Sequence, residues 1–210
     1  LETAPDETLK AYSTLVAQGK VRVLGASNVS PERLRASLEA SRSLGIPRYE
    51  TLQPLYNLYD RIGYERDYEA LCEREQLGVT SYYALARGFL SGKYTRATAP
   101  ADGSRRTAFD FPPVDKEKAY DIIDVMKEIG DARGVSVAQI ALSWLLHQKH
   151  VTSVIIGAKT EAQLNDNLAA TGVELSSDDL KKLDDVSKLK PEYPGWMLER
   201  QGGERTSNLS

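Results

Sequence analysis

Val154-Ile155-Ile156-Gly157-Ala158-Lys159-Thr160, followed by Glu161-Ala162-Gln163-Leu164-Asn165-Asp166-Asn167, is the stretch that decides the fold of this chain. A short apolar run that ends at a glycine predicts a strand buried on both faces. Thr160 is placed to cap a helix that carries Gln163 and Leu164. A helix start offers unpaired N–H groups and a partial positive charge, so this turn, with Lys159 beside it, suits a phosphate. The alternative is an ordinary strand-to-helix turn with a solvated lysine.

The same alternation of strand and helix runs through the sequence before this stretch. Short apolar runs that end at turn residues predict strands at residues 20–26, 49–53 and 79–84. Thr3 and Asp6 are candidate caps of the first helix, and Gly78 is expected to end the third. Strands that alternate with helices indicate an α/β fold with a parallel sheet under helical cover. Apolar spacing predicts the helices at about residues 5–18, 30–44, 64–77, 116–133, 136–145, 160–170 and 177–187.

Composition and charge exclude several classes of function. The 210 residues carry a net charge of −3 with basic and acidic residues interspersed, so no nucleic-acid surface is expected. No apolar run approaches the ~20 residues of a membrane span, and the acidic start is unlike a signal peptide, so a cytoplasmic compartment is expected. A single cysteine, Cys72, excludes a multi-cysteine metal site and is expected to be a small core residue. Residues 95–113 predict a long loop of the kind that forms lids or is disordered.

Polar side chains follow each predicted strand. Because the carboxyl ends of parallel strands lie at one edge of a sheet, these side chains are expected to surround one ligand site. Carboxamides pair with a carboxamide ligand, a tyrosine face stacks on a flat ring, and lysine at a helix start binds phosphate. Together they suit a nicotinamide dinucleotide, although each one alone is also explained by capping, turn or core packing. The side chains are those of Ser27, Asn28, Gln53, Tyr82, Lys159 and Thr160.

Four motifs resemble those of the aldo-keto reductase family. Each one is weakly specific, but all four occur in the family's order and at its spacing across almost the whole chain. They are Gly19-Lys20-Val21-Arg22 leading to Gly25-Ala26-Ser27-Asn28; Leu52-Gln53-Pro54-Leu55-Tyr56-Asn57-Leu58; Tyr82-Tyr83-Ala84-Leu85-Ala86-Arg87-Gly88-Phe89-Leu90-Ser91-Gly92-Lys93-Tyr94; and Ile156-Gly157-Ala158-Lys159-Thr160 with Gln163-Leu164 and Asn167.

The resemblance implies a (β/α)8 TIM-barrel enzyme that reduces aldehydes and ketones with NADPH. Only about four C-terminal β/α units, strands five to eight, are matched, so residues 1–190 are expected to form a partial barrel domain and residues 191–210 a tail. A lysine at the 2′-phosphate favours NADP over NAD. By position, the family's cofactor contacts fall on Ser27, Asn28 and Gln53 at the nicotinamide carboxamide, Tyr82 at its ring, Leu85, Arg87, Gly88 and Lys93 along the pyrophosphate, Lys159 and Thr160 at the 2′-phosphate, and Gln163 and Asn167 near the adenosine. Gly157, in the turn before Lys159, is counted with the cofactor-binding residues.

The family's catalytic tetrad of Asp, Tyr, Lys and His has no counterpart here, because its motifs belong to the first half of the barrel. No catalytic or metal-binding residue is therefore assigned. His147 and His150 lie at a helix end and are expected to be structural or solvated. This chain alone is expected to bind NADPH weakly and not to turn over a small carbonyl substrate. Its exposed half-barrel edges are expected to favour self-association.

Two other interpretations stay open. The chain fits a non-catalytic, dinucleotide-binding regulatory relative that senses the cofactor and uses its helices for partners. It also fits a generic phosphate-binding half barrel whose likeness to the family is only architectural.

Overall fold

A computed structural model describes residues 3–94, 96 and 116–188 of the chain. The expected tail lies outside these residues, and so does the expected loop at 95–113 apart from residue 96. Four strands are described: β1 Leu24–Ser27, β2 Tyr49–Gln53, β3 Gly78–Ser81 and β4 Val151–Val154. The helices are α1 Pro5–Ala17, α2 Pro31–Leu44, α3 Ile62–Glu65, α4 Glu69–Glu75, α5 Lys116–Arg133, α6 Val137–Leu146, α7 Glu161–Ala169 and α8 Ser177–Ser187, with 3-10 turns at Ala86–Ser91 and Ala170–Gly172.

The four strands form one parallel sheet in the order β1-β2-β3-β4, which confirms the predicted α/β architecture. Strands that are neighbours both in sequence and in the sheet are joined by crossovers. Because such crossovers are almost always right-handed, they bring their helices to the same face of the sheet. The other face of the sheet carries none of these crossover helices, as is the case for the inner face of a β/α barrel.

Burial along the strands agrees with this one-sided cover. In β1, Leu24 and Ala26 are buried whereas Gly25 and Ser27 are exposed. On the uncovered face a side chain of β2 occupies the space beside Gly25: a Cβ at Gly25 would lie 2.5 Å from the Thr51 hydroxyl oxygen. The small residue at this position therefore serves the packing of that face.

The last strand differs from its prediction of burial on both faces. β4 ends at Val154, three residues before Gly157, and its middle residues Thr152 and Ser153 are exposed. Ile155 follows the strand and is 42% exposed. The prediction was wrong because β4 is the edge strand of the described sheet and has only β3 beside it, so its run of apolar residues extends into the turn instead of filling a core.

Thr160 caps its helix as predicted, and the helix predicted from residue 30 is capped by Ser30. The Ser30 hydroxyl accepts a hydrogen bond from the backbone N–H of Arg33, and the Thr160 hydroxyl accepts one from Gln163. At α1 the prediction was wrong: Ala4 is the capping residue and has no side-chain bond. The Thr3 carbonyl instead accepts from the Arg33 guanidinium, and Asp6 pairs with Lys10 at 2.9 Å.

The single helix expected at 64–77 is divided into α3 and α4. Tyr68 has a non-helical φ of −125°, and its hydroxyl donates to the Val29 carbonyl at 2.5 Å, which draws the chain out of helical geometry. Gln76, in the left-handed region, ends α4, so Gly78 opens β3 rather than closing a helix. The strand predicted at 20–26 is also shorter and begins at Leu24.

The core lies between the sheet and its helices. Trp144, Tyr56 and Tyr64 are its largest fully buried side chains, and the ring centroid of Tyr56 lies 4.6 Å from that of Tyr64 and 5.5 Å from that of Trp144. Cys72 is fully buried, and burial raises the pKa of its thiol to about 11. It is therefore a protonated core residue, as predicted.

The cap of α8 should make stability depend on pH. The Ser176 hydroxyl and backbone N–H bond to Asp179, whose own N–H donates back to Ser176. Burial opposes the charged form of Asp179, but bonds from Ser176 and Arg133 outweigh it and lower the carboxyl's pKa. The stability that this carboxylate contributes is present above the unfolded-state pKa and is lost as pH falls through the lower folded-state pKa.

Asp179→Asn is therefore expected to remove about 1 kcal/mol of stability at pH 7, the usual contribution of a helix cap. The loss should shrink as pH falls below about 4, because the wild-type carboxyl is then protonated as well. Urea unfolding at several pH values measures this difference, and a constant difference at every pH would contradict it.

Candidate functional site

A cleft of about 1030 Å³ lies at the carboxyl ends of the strands. The predicted site residues line it, with the exception of Ser27 and Thr160, which are hydrogen-bonded to the lining residues Asn28 and Gln163. The structure therefore brings together side chains from the ends of all four strands. The predicted residues in its wall are Asn28, Gln53, Tyr82, Leu85, Arg87, Gly88, Lys93, Gly157, Lys159, Gln163 and Asn167.

One end of the cleft is a hydrogen-bonded set on β1, β2 and β3. The Tyr82 hydroxyl donates to Asn28 Oδ1 at 3.1 Å, and Asn28 Nδ2 donates to Ser27 Oγ at 3.1 Å. Ser27 Oγ in turn donates to the Gln53 carbonyl at 3.0 Å. Ser27 thus holds Asn28 in place, while the Gln53 carboxamide forms no hydrogen bond with any residue the structure describes.

The Tyr82 ring is held at the centre of the cleft. Tyr83 meets it edge-on with the centroids 5.0 Å apart, and the Arg87 guanidinium lies 5.9 Å from the Tyr83 centroid. Burial, followed by the charges of Tyr83 and Asp60, raises the pKa of Tyr82. Its hydroxyl is therefore protonated at neutral pH, as its donation to Asn28 requires.

The cleft wall between Tyr83 and Gly88 has a strained backbone. The non-glycine residues Tyr83, Ala86 and Arg87 have φ values of 55°, 45° and 56°, and Gly88 follows at 92°. Such left-handed residues cost free energy and persist where the surrounding structure enforces them, commonly at ligand sites. Within this run, the Ala86 and Gly88 N–H groups donate to the Tyr83 and Leu85 carbonyls, both at 2.7 Å, and these bonds fix the shape of the turn.

The other end of the cleft is the turn before α7. The Gln163 side chain accepts from the Lys159 backbone N–H at 2.9 Å, and Thr160 Oγ1 caps the helix. Thr160 thereby acts on the backbone and not on the cleft. The ammonium groups of Lys159 and Lys93 have no ion-pair partner in the described part of the chain, so both are available to an anionic ligand.

Beyond this turn, Asn167 is 7% exposed, and no residue in the described ranges accepts from or donates to its carboxamide. Asp166 lies beside it in the cleft wall. Its carboxylate accepts from the Ser136 hydroxyl at 2.9 Å and from Gln139 Nε2 at 2.6 Å, so α6 fixes its position.

Sequence reasoning missed four residues with polar groups in the wall: Tyr83, Ser91, Tyr94 and Asp166. Asp166 could have been found, since it lies three residues after Gln163 and therefore on the same helix face. Ser91 lies one 3-10 turn after Gly88, whose carbonyl accepts from its hydroxyl at 2.6 Å. Tyr83 had no such signal, because alternation along β3 places it opposite Tyr82 and only its left-handed backbone turns it inward.

No group of metal-ligating side chains large enough for an ion is found within residues 3–94, 96 and 116–188. His147 lies outside the cleft, where its Nδ1 is 2.8 Å from the Ser143 carbonyl at the end of α6. In the same residues, no helix has both the length and the apolar character needed to cross a membrane.

The chain belongs to the Aldo/keto reductase family, whose sequence profile matches residues 2–188. It is 32% identical over 187 residues to the L-glyceraldehyde 3-phosphate reductase of Escherichia coli strain K12, a match that covers 87% of this chain and 54% of that protein. It is 29% identical over 198 residues to a probable voltage-gated potassium channel subunit beta of Arabidopsis thaliana, with coverage of 91% and 60%.

Among solved structures, a glycerol dehydrogenase from Gluconobacter oxydans matches with a TM-score of 0.75 and 30% identity over 92% of this chain and 58% of that one. The four parallel strands and their helices therefore match part of an aldo-keto reductase barrel. The chain spans just over half the length of the relatives that it matches. Members of this family typically use NADH or NADPH.

Proposed function

We propose that this chain is the cofactor-binding, C-terminal half of an NADPH-dependent (β/α)8 aldo-keto reductase that reduces small aldehydes or ketones to alcohols. One observation carries the proposal: groups suited to a carboxamide, a flat ring and phosphates lie in that order along a single cleft. Bound NADPH supplies the hydride. The chain's own residues bind and orient it.

At the β1 and β2 end, Asn28 and Gln53 present carboxamides that can pair with the nicotinamide carboxamide. The Tyr82 ring beside them offers a face on which the nicotinamide can stack. With its hydroxyl bonded to Asn28, this ring has little freedom to turn, so it favours one orientation of the nicotinamide.

The charges that suit the phosphates lie at the other end. Lys93, with Arg87 and Gly88 in the same wall, fits the pyrophosphate, whereas Lys159 beside the start of α7 fits the 2′-phosphate. A cation at the 2′-position is the physical reason to prefer NADPH over NADH, since NADH lacks that phosphate. Asn167, with its unpaired carboxamide, suits the adenosine.

A protonated group beside the carbonyl oxygen is also needed for reduction. None of the tyrosines in the cleft lies in the family motif for that role. We therefore assign the proton donor to a part of the barrel outside these 210 residues and expect this chain alone to bind the cofactor weakly, without turnover.

Replacement of Lys159 by alanine tests the cofactor assignment. NADPH affinity should fall about tenfold, the equivalent of one charge-assisted contact of ~1.4 kcal/mol, while NADH affinity should change by less than about twofold. NMR titration of both dinucleotides measures the two dissociation constants even when binding is weak. Lys181→Ala, in which an exposed lysine of α8 outside the cleft is removed, is the control and should leave both values unchanged. Equal effects on NADPH and NADH would contradict the assignment.

A non-catalytic, dinucleotide-binding regulatory role is the second candidate. It is favoured by the relative described as a probable potassium channel subunit beta, which aligns over 91% of this chain. The same cleft would serve both roles. The generic phosphate-binding site, in contrast, predicts no discrimination between NADPH and NADH.

A further inference from the structure

The connection between β2 and β3 contains two side chains that donate hydrogen bonds to the backbone at the cleft wall without lining the cleft. Asn57 and Tyr68 do not line the cleft, and both bond to a backbone carbonyl next to a residue that does. Neither belongs to the set of side chains that suits the cofactor. Their partners nevertheless lie at the nicotinamide end.

Asn57 is fully buried, and both atoms of its carboxamide are bonded. Nδ2 donates to the Tyr83 carbonyl at 3.0 Å and to Asp60 Oδ2 at 3.2 Å. Oδ1 accepts from the backbone N–H groups of Tyr59 at 2.9 Å and Asp60 at 2.8 Å. One side chain therefore shapes its own loop and ties that loop to the residue after Tyr82.

The Tyr83 carbonyl accepts two hydrogen bonds: one from the Ala86 N–H of its own turn at 2.7 Å, and the one from Asn57, which is the contact from outside the turn. Tyr83 has a φ of 55°, which a bulky residue rarely adopts without support. The Tyr82 N–H donates to the Pro54 carbonyl at 3.0 Å, so the connection holds the chain on both sides of the Tyr82 ring. Loss of the Asn57 donor would let Tyr83 relax and carry Tyr82 with it.

Tyr68 has the same relation to β1. Its hydroxyl donates to the Val29 carbonyl at 2.5 Å, directly after Asn28, whose φ is 54°. The hydrogen bond from the Tyr82 hydroxyl to Asn28 then connects the segment supported by Asn57 with the segment supported by Tyr68. The β2–β3 connection thus supports two left-handed residues at the nicotinamide end, Asn28 itself and Tyr83 directly after Tyr82.

We propose that Asn57 and Tyr68 are positioning residues, which fix Tyr82 and Asn28 in the orientation that binds the nicotinamide end of the cofactor. The proposal rests on the function proposed above. It assigns part of the affinity for the cofactor to one buried and one half-buried residue, neither of which lines the cleft.

Two conservative substitutions separate positioning from general stability. Asn57→Asp keeps the shape and the acceptor oxygen but removes the donor to Tyr83 and places a second carboxylate beside Asp60. Tyr68→Phe removes only the hydroxyl that bonds to Val29. Tyr56→Phe is the matched control. It also removes a partly buried hydrogen bond of a tyrosine hydroxyl, here to Glu65 at 2.9 Å, but Glu65 does not line the cleft.

NMR titrations with two fragments provide the readout: reduced nicotinamide mononucleotide and adenosine 2′,5′-bisphosphate. Both positioning variants should bind the nicotinamide fragment about tenfold more weakly and the adenosine fragment within about twofold of wild type. Tyr56→Phe should leave both affinities in place. Equal losses for the two fragments, or no loss for either, would overturn the proposal. Should Asn57→Asp fail to fold, Tyr68→Phe decides the question by the same comparison.

A second measurement distinguishes failure of this inference from failure of the proposed function. Wild-type protein that binds neither fragment would reject the cofactor site. In that case, the nuclear Overhauser contact between the Tyr82 ring and the Asn28 side-chain amide still tests positioning. Its loss in Asn57→Asp, with core methyl signals unmoved, supports the inference, whereas its persistence overturns it.

Discussion

Replacement of Arg61 by methionine is expected to lower the free energy of unfolding by about 3 kcal/mol, near the lower end of the cost of breaking a buried ion pair. The Arg61 side chain is only 13% exposed, and its Nε lies 2.6 Å from Glu65 Oε1. Its Nη1 lies 3.0 Å from Asp184 Oδ1 and 2.7 Å from the Ser187 hydroxyl. Without this guanidinium, the largely buried Glu65 carboxylate has no ion-pair partner among the residues that the structure describes.

The same residue joins three parts of the fold. Its guanidinium lies 5.0 Å from the ring centroid of Trp144, whose Nε1 also donates to Asp184. Burial by itself would lower the pKa of Arg61, but the bond to Glu65 and the charges of Glu65 and Asp184 outweigh it and raise the pKa. The cation is therefore retained, and it connects α3, α6 and α8.

Thermal and denaturant unfolding of Arg61→Met measure this effect, and a loss of about 3 kcal/mol corresponds to a melting temperature lower by roughly 10 °C. Lys181→Met is the matched control, because its pair with Asp185 is exposed on both sides and methionine keeps the length of the stem. That control should show no resolvable loss. Similar melting temperatures for the two variants would mean that burial of the Arg61 pair contributes nothing.

The second large effect is expected for Gly92→Ala, at about 3 kcal/mol, as the sum of left-handed strain and overpacking. Gly92 has a φ of 76°, and a Cβ at this residue would lie 2.9 Å from both Cβ and Cγ2 of Val137. These atoms cannot rotate away, because Val137 opens α6 with a stiff, branched side chain. The turn that lines the cleft would have to move away from α6.

Gly88→Ala is the control within the same turn. Gly88 has a φ of 92°, but a Cβ at this residue would have no other atom within 4 Å, so its substitution costs only the strain, about 1 to 2 kcal/mol. The difference between the two variants in urea unfolding isolates the steric contact with Val137. Equal losses would show that this contact relaxes freely.

That the site residues lie close together could be predicted from the sequence, because their proximity follows from the topology of the sheet. Once strands and helices alternate, Asn28, Gln53, Tyr82 and Lys159 must share one edge of a parallel sheet, whatever the details of packing. The caps Ser30 and Thr160 were predictable for a local reason, since each lies directly before its helix and needs only the backbone of that helix.

What the sequence could not predict depends on distant partners. The choice among Thr3, Ala4 and Asp6 at the start of α1 is settled by Arg33, about thirty residues away. The break between α3 and α4 depends on the Val29 carbonyl, which no local pattern around Tyr68 reveals. Tertiary contacts override local propensity at both places.

The left-handed backbone of Tyr83, Ala86 and Arg87 has a consequence for attempts to make this protein more heat-resistant. Glycine adopts these angles freely, so a library selected only for thermal tolerance would favour glycine there. The variants selected in this way would have a more flexible cleft wall than the present protein. Stability and ligand recognition therefore compete at the same backbone positions, and selection for one should always be paired with an assay for the other.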